Sequence, residues 1–142
     1  MNPALAEAAL GLVGTPFRLH GRDPSIGLDC VGLVGEAMRR AGFDPSLPEG
    51  YRLRVQSVAR WLRLAATSGL VPVARDGDVI LLRTHPLQPH LAVIVPGGIV
   101  HAHAGLGRTT FLPGPIPWPV ERRWRAAPAE TIQTETRRQW LR

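Results

Sequence analysis

Lysine is missing from this 142-residue chain, so its 17 basic residues are all arginines and the net charge of +6 rests on them alone. The arginines are scattered, with pairs at Arg39-Arg40, Arg122-Arg123 and Arg137-Arg138 but no long basic run and no nucleic-acid-binding motif. A basic surface favours anionic partners such as acidic wall polymers, but nucleic acid is not the partner expected. There is a single cysteine, Cys30, which excludes an internal disulfide and with it a disulfide-stapled secreted scaffold. No run approaches the roughly 20 apolar residues of a membrane-spanning helix. Residues 1–14 are mildly apolar, but they lack a basic leader and are interrupted by Glu7, so they do not read as a signal peptide. There is no internal repeat. Neither paired cysteines at zinc-site spacing nor a His-Glu-x-x-His motif occurs.

Glycine and proline, by contrast, are plentiful at 15 and 14 residues, and they mark frequent turns. The length suits one domain around one core, assigned to residues 1–127, with a polar tail over 128–142. Asn2 before Pro3 reads as an N-cap and first helical residue. Leu5, Ala9, Leu12 and Val13 then mark one face of a short helix that Gly14 and Pro16 break, and residues 15–28 read as a loop. A second helix is predicted over 29–41, where Val31, Val34, Ala37, Met38 and Ala41 recur at helical spacing. Arg39 and Arg40 suit its last turn, and Gly42 stops it. A third helix is predicted over 56–67, with Trp61 and Leu62 packing inward. From Leu70 the period changes to that of strands. Asp76-Gly77-Asp78 is a turn, and strands are predicted over 79–82, 91–95, 99–102, 109–112 and 120–125. A hairpin at Pro96-Gly97-Gly98 joins the second of these to the third. The proline-rich run from Pro113 to Pro119 is an irregular, extended connection. Helices first and an antiparallel meander after them make the fold class α+β.

The chemistry centres on Cys30, at the predicted start of the second helix. A lone cysteine is more often a small buried hydrophobe than a nucleophile. At a helix N-terminus, however, unpaired N–H groups and the helix dipole stabilise a thiolate and can hold an oxyanion. Gly27 and Gly32 flank it and leave room for a substrate backbone. A thiol nucleophile needs a base, and His90 stands at the head of the apolar strand His-Leu-Ala-Val-Ile-Val. The plainer alternative is a solvent-facing histidine beside Pro89. A base also needs an orienting group on its other ring nitrogen, and His101 and His103 lie across the hairpin on one face of the next strand. Simple register puts His103 nearer His90, whereas a bulge or wider turn favours His101, and the residues alone leave the choice open. His20 and His85 are expected in surface loops, with His20 within reach of the cleft. Cys30 with His90, His101 and His103 also allows a zinc site as an alternative, against the usual spacing rules.

Four stretches, in order, resemble the signature of NlpC/P60 peptidases. They are Gly14-Thr-Pro-Phe17 with Gly21 and Gly27-Leu-Asp-Cys-Val-Gly-Leu-Val34, then Asp76-Gly-Asp-Val-Ile-Leu81, then His90-Leu-Ala-Val-Ile-Val95, then Val100-His-Ala102. The resemblance spans about residues 4–112. It implies a papain-like fold with N-terminal helices packed on a small antiparallel sheet. It implies Cys30 as nucleophile, His90 as general base and His101, at the family's Val-His-Ala position, as the residue that orients His90. Asp29, Phe17, Gly27 and His103 become candidates for lining the oxyanion or substrate. Family members typically cleave peptidoglycan stem peptides, often next to D-glutamate or diaminopimelate, which implies a cysteine peptidase with no cofactor and no metal. Phe17 stands where the family usually carries a tyrosine that helps line the oxyanion site, and a phenyl ring cannot donate a hydrogen bond. Val31 stands where serine is usual. The compact form and the stretch over 98–108 look most like the versions found in phage tails and gene transfer agents. That likeness implies incorporation in a virion-like tail particle, with other tail proteins as partners and the particle supplying transport. The alternative, favoured by Phe17, is a non-catalytic structural tail module with a degenerate site.

Overall fold

A computed structural model of the chain describes residues 1–48, 54–85 and 88–127. The polar tail expected over 128–142 lies outside the described residues, as do residues 49–53 and 86–87. The first helix, α1 (Pro3–Leu10), starts as its sequence predicts: Asn2 is the N-cap and its side chain accepts the Leu5 N–H at 3.0 Å. It ends sooner than the apolar spacing suggests. Leu12 and Val13 donate to Ala9 and Leu10 in tighter turns, and Leu12 remains buried while Val13 is exposed.

The loop after α1 contains a small ribbon that its glycines and proline hide from a periodicity reading. Its strands, β1 (Arg22–Asp23) and β2 (Gly27–Leu28), pair antiparallel. Next comes α2 (Cys30–Arg40), capped by Asp29. Eight of its 11 residues are buried, so only Glu36, Arg39 and Arg40 reach outward. Their ion pairs, Glu36 with Arg40 at 3.0 Å and with Arg39 at 3.7 Å, lie at the surface and contribute little. The third helix, α3 (Arg54–Leu64), is followed by a short 3₁₀ turn at Ala66–Ser68 that ends on Gly69. The predicted helix over 56–67 therefore starts two residues late and merges helix with turn.

Six further strands follow among the described residues: β3 (Leu70–Val73), β4 (Val79–His85), β5 (Gln88–Val95), β6 (Gly98–His103), β7 (Arg108–Pro113) and β8 (Val120–Ala126). The order across the sheet is β3-β8-β4-β5-β6-β7. The meander expected from the sequence holds for β4 to β7. It fails at β8, which returns to lie between β3 and β4. The proline-rich connection after β7 makes this return, because it crosses the sheet face opposite the helices. There Ile116 and Trp118 pack on Ile80, Leu82, Ala92 and Ile99. The other face is covered by α1, α2 and α3, all of which contact β5. It carries the main core, including Leu81, Leu91, Val93, Val95, Val100 and Ala102. Trp61 of α3 meets Trp124 of β8 edge-on with ring centroids 4.9 Å apart, an aromatic contact that adds to the burial of both rings.

Asp78, near the start of β4, ties the residue that caps α1 to the end of β8. It is buried, and its carboxylate accepts the backbone N–H of Asn2 and, at 2.8 Å, that of Ala126. Its own backbone bonds Trp124 of β8 and Ile94 of β5. Asp78→Ala removes the acceptor for two backbone donors and is expected to cost roughly 2–4 kcal/mol. Asp44→Ala, at an exposed position, should stay within about 0.5 kcal/mol of the wild type. Urea unfolding of the two variants checks this, and equal midpoints would contradict the clamp.

Candidate active site

Cys30 is the first residue of α2 and only 2% exposed. What precedes it is sewn to the sheet. Residues 14–18 run between β7 and the β2 segment: Gly14 donates to Thr109, Thr109 to Thr15, and Phe17 to Gly107. On the other side, Leu28 donates to Pro16 and Arg18 to Leu28. Pro16 bridges Arg108, and Phe17 bridges Leu28. The chain leading into Cys30 is thus fastened to the start of β7, which pairs with the end of β6 from His101 to His103. From the other side, α2 packs on β5 and β6.

Asp29 closes the turn into α2. Its carboxylate accepts the Gly32 N–H at 2.8 Å and the His20 N–H at 3.0 Å, and it pairs with Arg22 at 2.8 Å. The capping bond explains why the helix begins at Cys30. The ion pair with Arg22 spans the loop, and Arg22 also donates to the carbonyls of Gly21 and Pro48. The predicted open space at the glycines is filled by the protein itself. A Cβ on Gly32 would lie 2.0 Å from the Gly21 carbonyl oxygen, and one on Gly27 would lie 2.7 Å from Arg18 Cβ. These glycines let the loop pass close over the first turn of α2 instead of leaving room for a substrate. Phe17 is half-buried against the core.

His90 and His101 face each other on β5 and β6 and are each 4% exposed. His90 Nε2 lies 3.0 Å from His101 Nδ1, and the rings meet edge-on with centroids 5.2 Å apart. The choice that register left open is therefore made for His101. The hairpin register continued would set His90 opposite His103, but the two strands pair only at Val93–Val100, Ile94–Ile99 and Val95–Gly98. Beyond that point β6 runs with β7, and His103 turns toward its own loop, where its Nδ1 accepts the Leu106 N–H at 3.0 Å. His90 also sits third in β5 instead of at its head, because the strand begins at Gln88.

Burial, together with the neighbouring His103, lowers the His101 pKa to about 4 from its usual 6.5. His101 is therefore neutral near pH 7 and can accept a proton-bearing Nε2–H from His90. Between about pH 6.5 and 4 the unfolded chain binds a proton at this residue that the folded chain does not, so its effect on stability is unfavourable as the pH falls through that window.

The two imidazoles line a hollow of about 210 Å³ together with His103, Thr84, Gln88 and Trp118. A larger hollow of about 800 Å³ shares His101, His103 and Trp118 and extends along β7. His20 and His85 line neither. Among the described residues no group of three or more His, Cys, Asp and Glu is arranged to hold a metal. No helix of the described residues is long and apolar enough to cross a membrane.

No protein-family model and no curated protein sequence matches the chain. Its structure is similar to that of a lipoprotein-like protein of the NLP/P60 family from Staphylococcus aureus subsp. aureus Mu50. The TM-score is 0.54 at 22% sequence identity, covering 88% of this chain and 41% of the staphylococcal one. The chain has the NlpC/P60 fold. Its helices on one face of an antiparallel sheet are the papain-like α+β arrangement expected from the motifs, and the chain spans less than half the length of that neighbour.

Trp118 is the site residue that the sequence reading missed. Its ring meets His101 edge-on at 5.7 Å between centroids. The only signal was a lone large aromatic inside a proline-rich run. Since burial is the main cause of the His101 shift, Trp118→Ala should admit water and move that titration upward from about 4 toward 6.5. Histidine NMR across this range checks it, and an unmoved His101 signal would show that Trp118 does not shield the ring.

Proposed function

We propose that residues 1–127 form a cysteine peptidase that hydrolyses peptidoglycan stem peptides, with Cys30 as nucleophile, His90 as general base and His101 as the residue that positions His90. The observation that carries this reading is the 3.0 Å contact between His90 Nε2 and His101 Nδ1, made on β5 and β6, the two strands that α2 packs on. With Nε2 turned to His101, Nδ1 is the nitrogen that serves the thiol. Proton transfer from the sulfur would give a thiolate stabilised by the helix dipole. The resulting imidazolium would donate its Nε2–H to neutral His101. The thiolate attacks the peptide carbonyl, and the oxyanion falls to first-turn N–H groups beside the sulfur, since those of Gly32 and Leu33 are already committed to Asp29. Protonated His90 then releases the amine, and water cleaves the acyl-enzyme.

The likeness of residues 98–108 to the phage-tail and gene-transfer-agent versions supports placing this activity in a virion-like tail particle that crosses the wall. Phe17 and the low exposure of Cys30 favour a second reading, a structural tail module whose thiol does no chemistry. Both readings are tested by incubating the chain with purified peptidoglycan and analysing the released fragments by mass spectrometry. The peptidase reading expects stem-peptide fragments from the wild type and at least a 1,000-fold loss, in order of magnitude, in Cys30→Ala with the circular dichroism spectrum retained. Undiminished release by Cys30→Ala would discard the mechanism. No release by the wild type, with Cys30 alkylated only after unfolding, would establish the structural reading instead.

A further inference from the structure

We infer that His103 is a pH-sensitive latch on the β6–β7 loop: its neutral imidazole holds the loop closed beside the histidine pair, and protonation releases it. The inference concerns the walls of the two hollows and stands whether or not Cys30 is reactive.

The loop is built around the ring. His103 ends β6 opposite Arg108, which begins β7, and residues 104–107 turn the chain between them. Gly107 donates its N–H to the Ala104 carbonyl at 3.1 Å and takes a φ of 71°. Within that turn the Leu106 N–H donates to His103 Nδ1 at 3.0 Å. Gly105 lies against the same ring, because a Cβ there would be 3.0 Å from His103 Cε1. The imidazole thus fills the inside of the loop and leaves Leu106 57% exposed. Ala104 and Gly105 line the smaller hollow, Leu106 lines the larger, and His103 lines both. The far limb is fastened separately. The Gly107 carbonyl accepts the Phe17 N–H at 2.8 Å, and Arg108 bridges Pro16. Residues 104–106 are therefore the part that depends on the latch, and its release changes the walls of both hollows at once.

A neutral imidazole has one nitrogen that accepts and one that donates. Acceptance from Leu106 makes Nδ1 the bare nitrogen and puts the proton on Nε2. A second proton must go to Nδ1, where it faces the Leu106 N–H. The acceptor becomes a donor, and the bond is lost. The surroundings do not hold the charged ring in place. On its own strand the neighbour is His101, with ring centroids 5.4 Å apart, and it stays uncharged down to about pH 4. Across on β7 stands Arg108, and on β5 the ring beyond His101 is His90. The segment that bonds Gly107 and bridges Arg108 carries Arg18. Trp118, from the proline-rich connection, is uncharged. Among the described residues no Asp or Glu lines either hollow.

The test follows the Leu106 amide of the full chain by NMR while the His103 ring ¹⁵N signals report its protonation. The range is about pH 8 to 5, where imidazoles change charge. With His103 neutral, the Leu106 amide should exchange with water roughly 10-fold more slowly than an unstructured amide at the same pH. That protection should vanish as the ring takes its second proton. His103→Asn supplies a side-chain oxygen as acceptor with no titrating group, and should keep the protection across the range. His103→Phe should lack it at every pH. Protection that outlasts protonation of His103, or that is missing while the ring is neutral, would overturn the latch. So would a ring that stays neutral throughout, or a loss of protection on acidification in His103→Asn equal to that of the wild type.

Discussion

Two imidazoles 3.0 Å apart, nitrogen to nitrogen, can form a hydrogen bond only if one of the facing nitrogens carries a proton and the other does not. In this chain burial settles which ring stays uncharged: His101 takes up a proton only near pH 4. At neutral pH the His101 Nδ1 can therefore accept an N–H from His90, which fixes the His90 ring plane. The proposed chemistry depends on this asymmetry. A charged His101 would present an N–H to His90 and oppose the imidazolium that thiol activation requires.

The rest of the fold holds this pair on β5 and β6 and fixes the start of the helix that Cys30 begins. Residues 14–18 lie between β7 and the chain entering α2, with backbone bonds on both sides. Asp29 caps α2, gathers Arg22 and the His20 N–H, and so fixes where the helix starts. Close backbone approach at Gly21, Gly27 and Gly32 makes this loop compact. On the opposite face the proline-rich connection carries Trp118 onto His101 and brings β8 back beside β4. One connection thus completes the sheet and covers the histidine.

Much of this was legible in the residues. Asn2-Pro3 is a capping signal whose meaning is local, and α1 begins where it indicates, while α2 begins one residue inside the predicted span of 29–41. The alternation around the Pro96-Gly97-Gly98 hairpin gave β5 and β6. What escaped was set by distant contacts. The choice of His101 over His103 depends on where β5 and β6 stop pairing and on β7 drawing the end of β6 away. The position of β8 between β3 and β4 depends on the apolar outer face under Ile116 and Trp118, which no local period reveals. Gly27 and Gly32 announced a close approach, but only the fold identifies the approaching group as the chain's own backbone.

The central claim is that His90 takes the proton of Cys30 while His101 holds it in place. Its most direct measurement is the ¹³Cβ signal of selectively labelled Cys30 at about pH 6.5, where an ordinary thiol is protonated, in the wild type and in His90→Ala. The account predicts a thiolate signal in the wild type that reverts to a thiol signal in the variant. A protonated thiol in both chains, or a thiolate indifferent to the loss of His90, would contradict it.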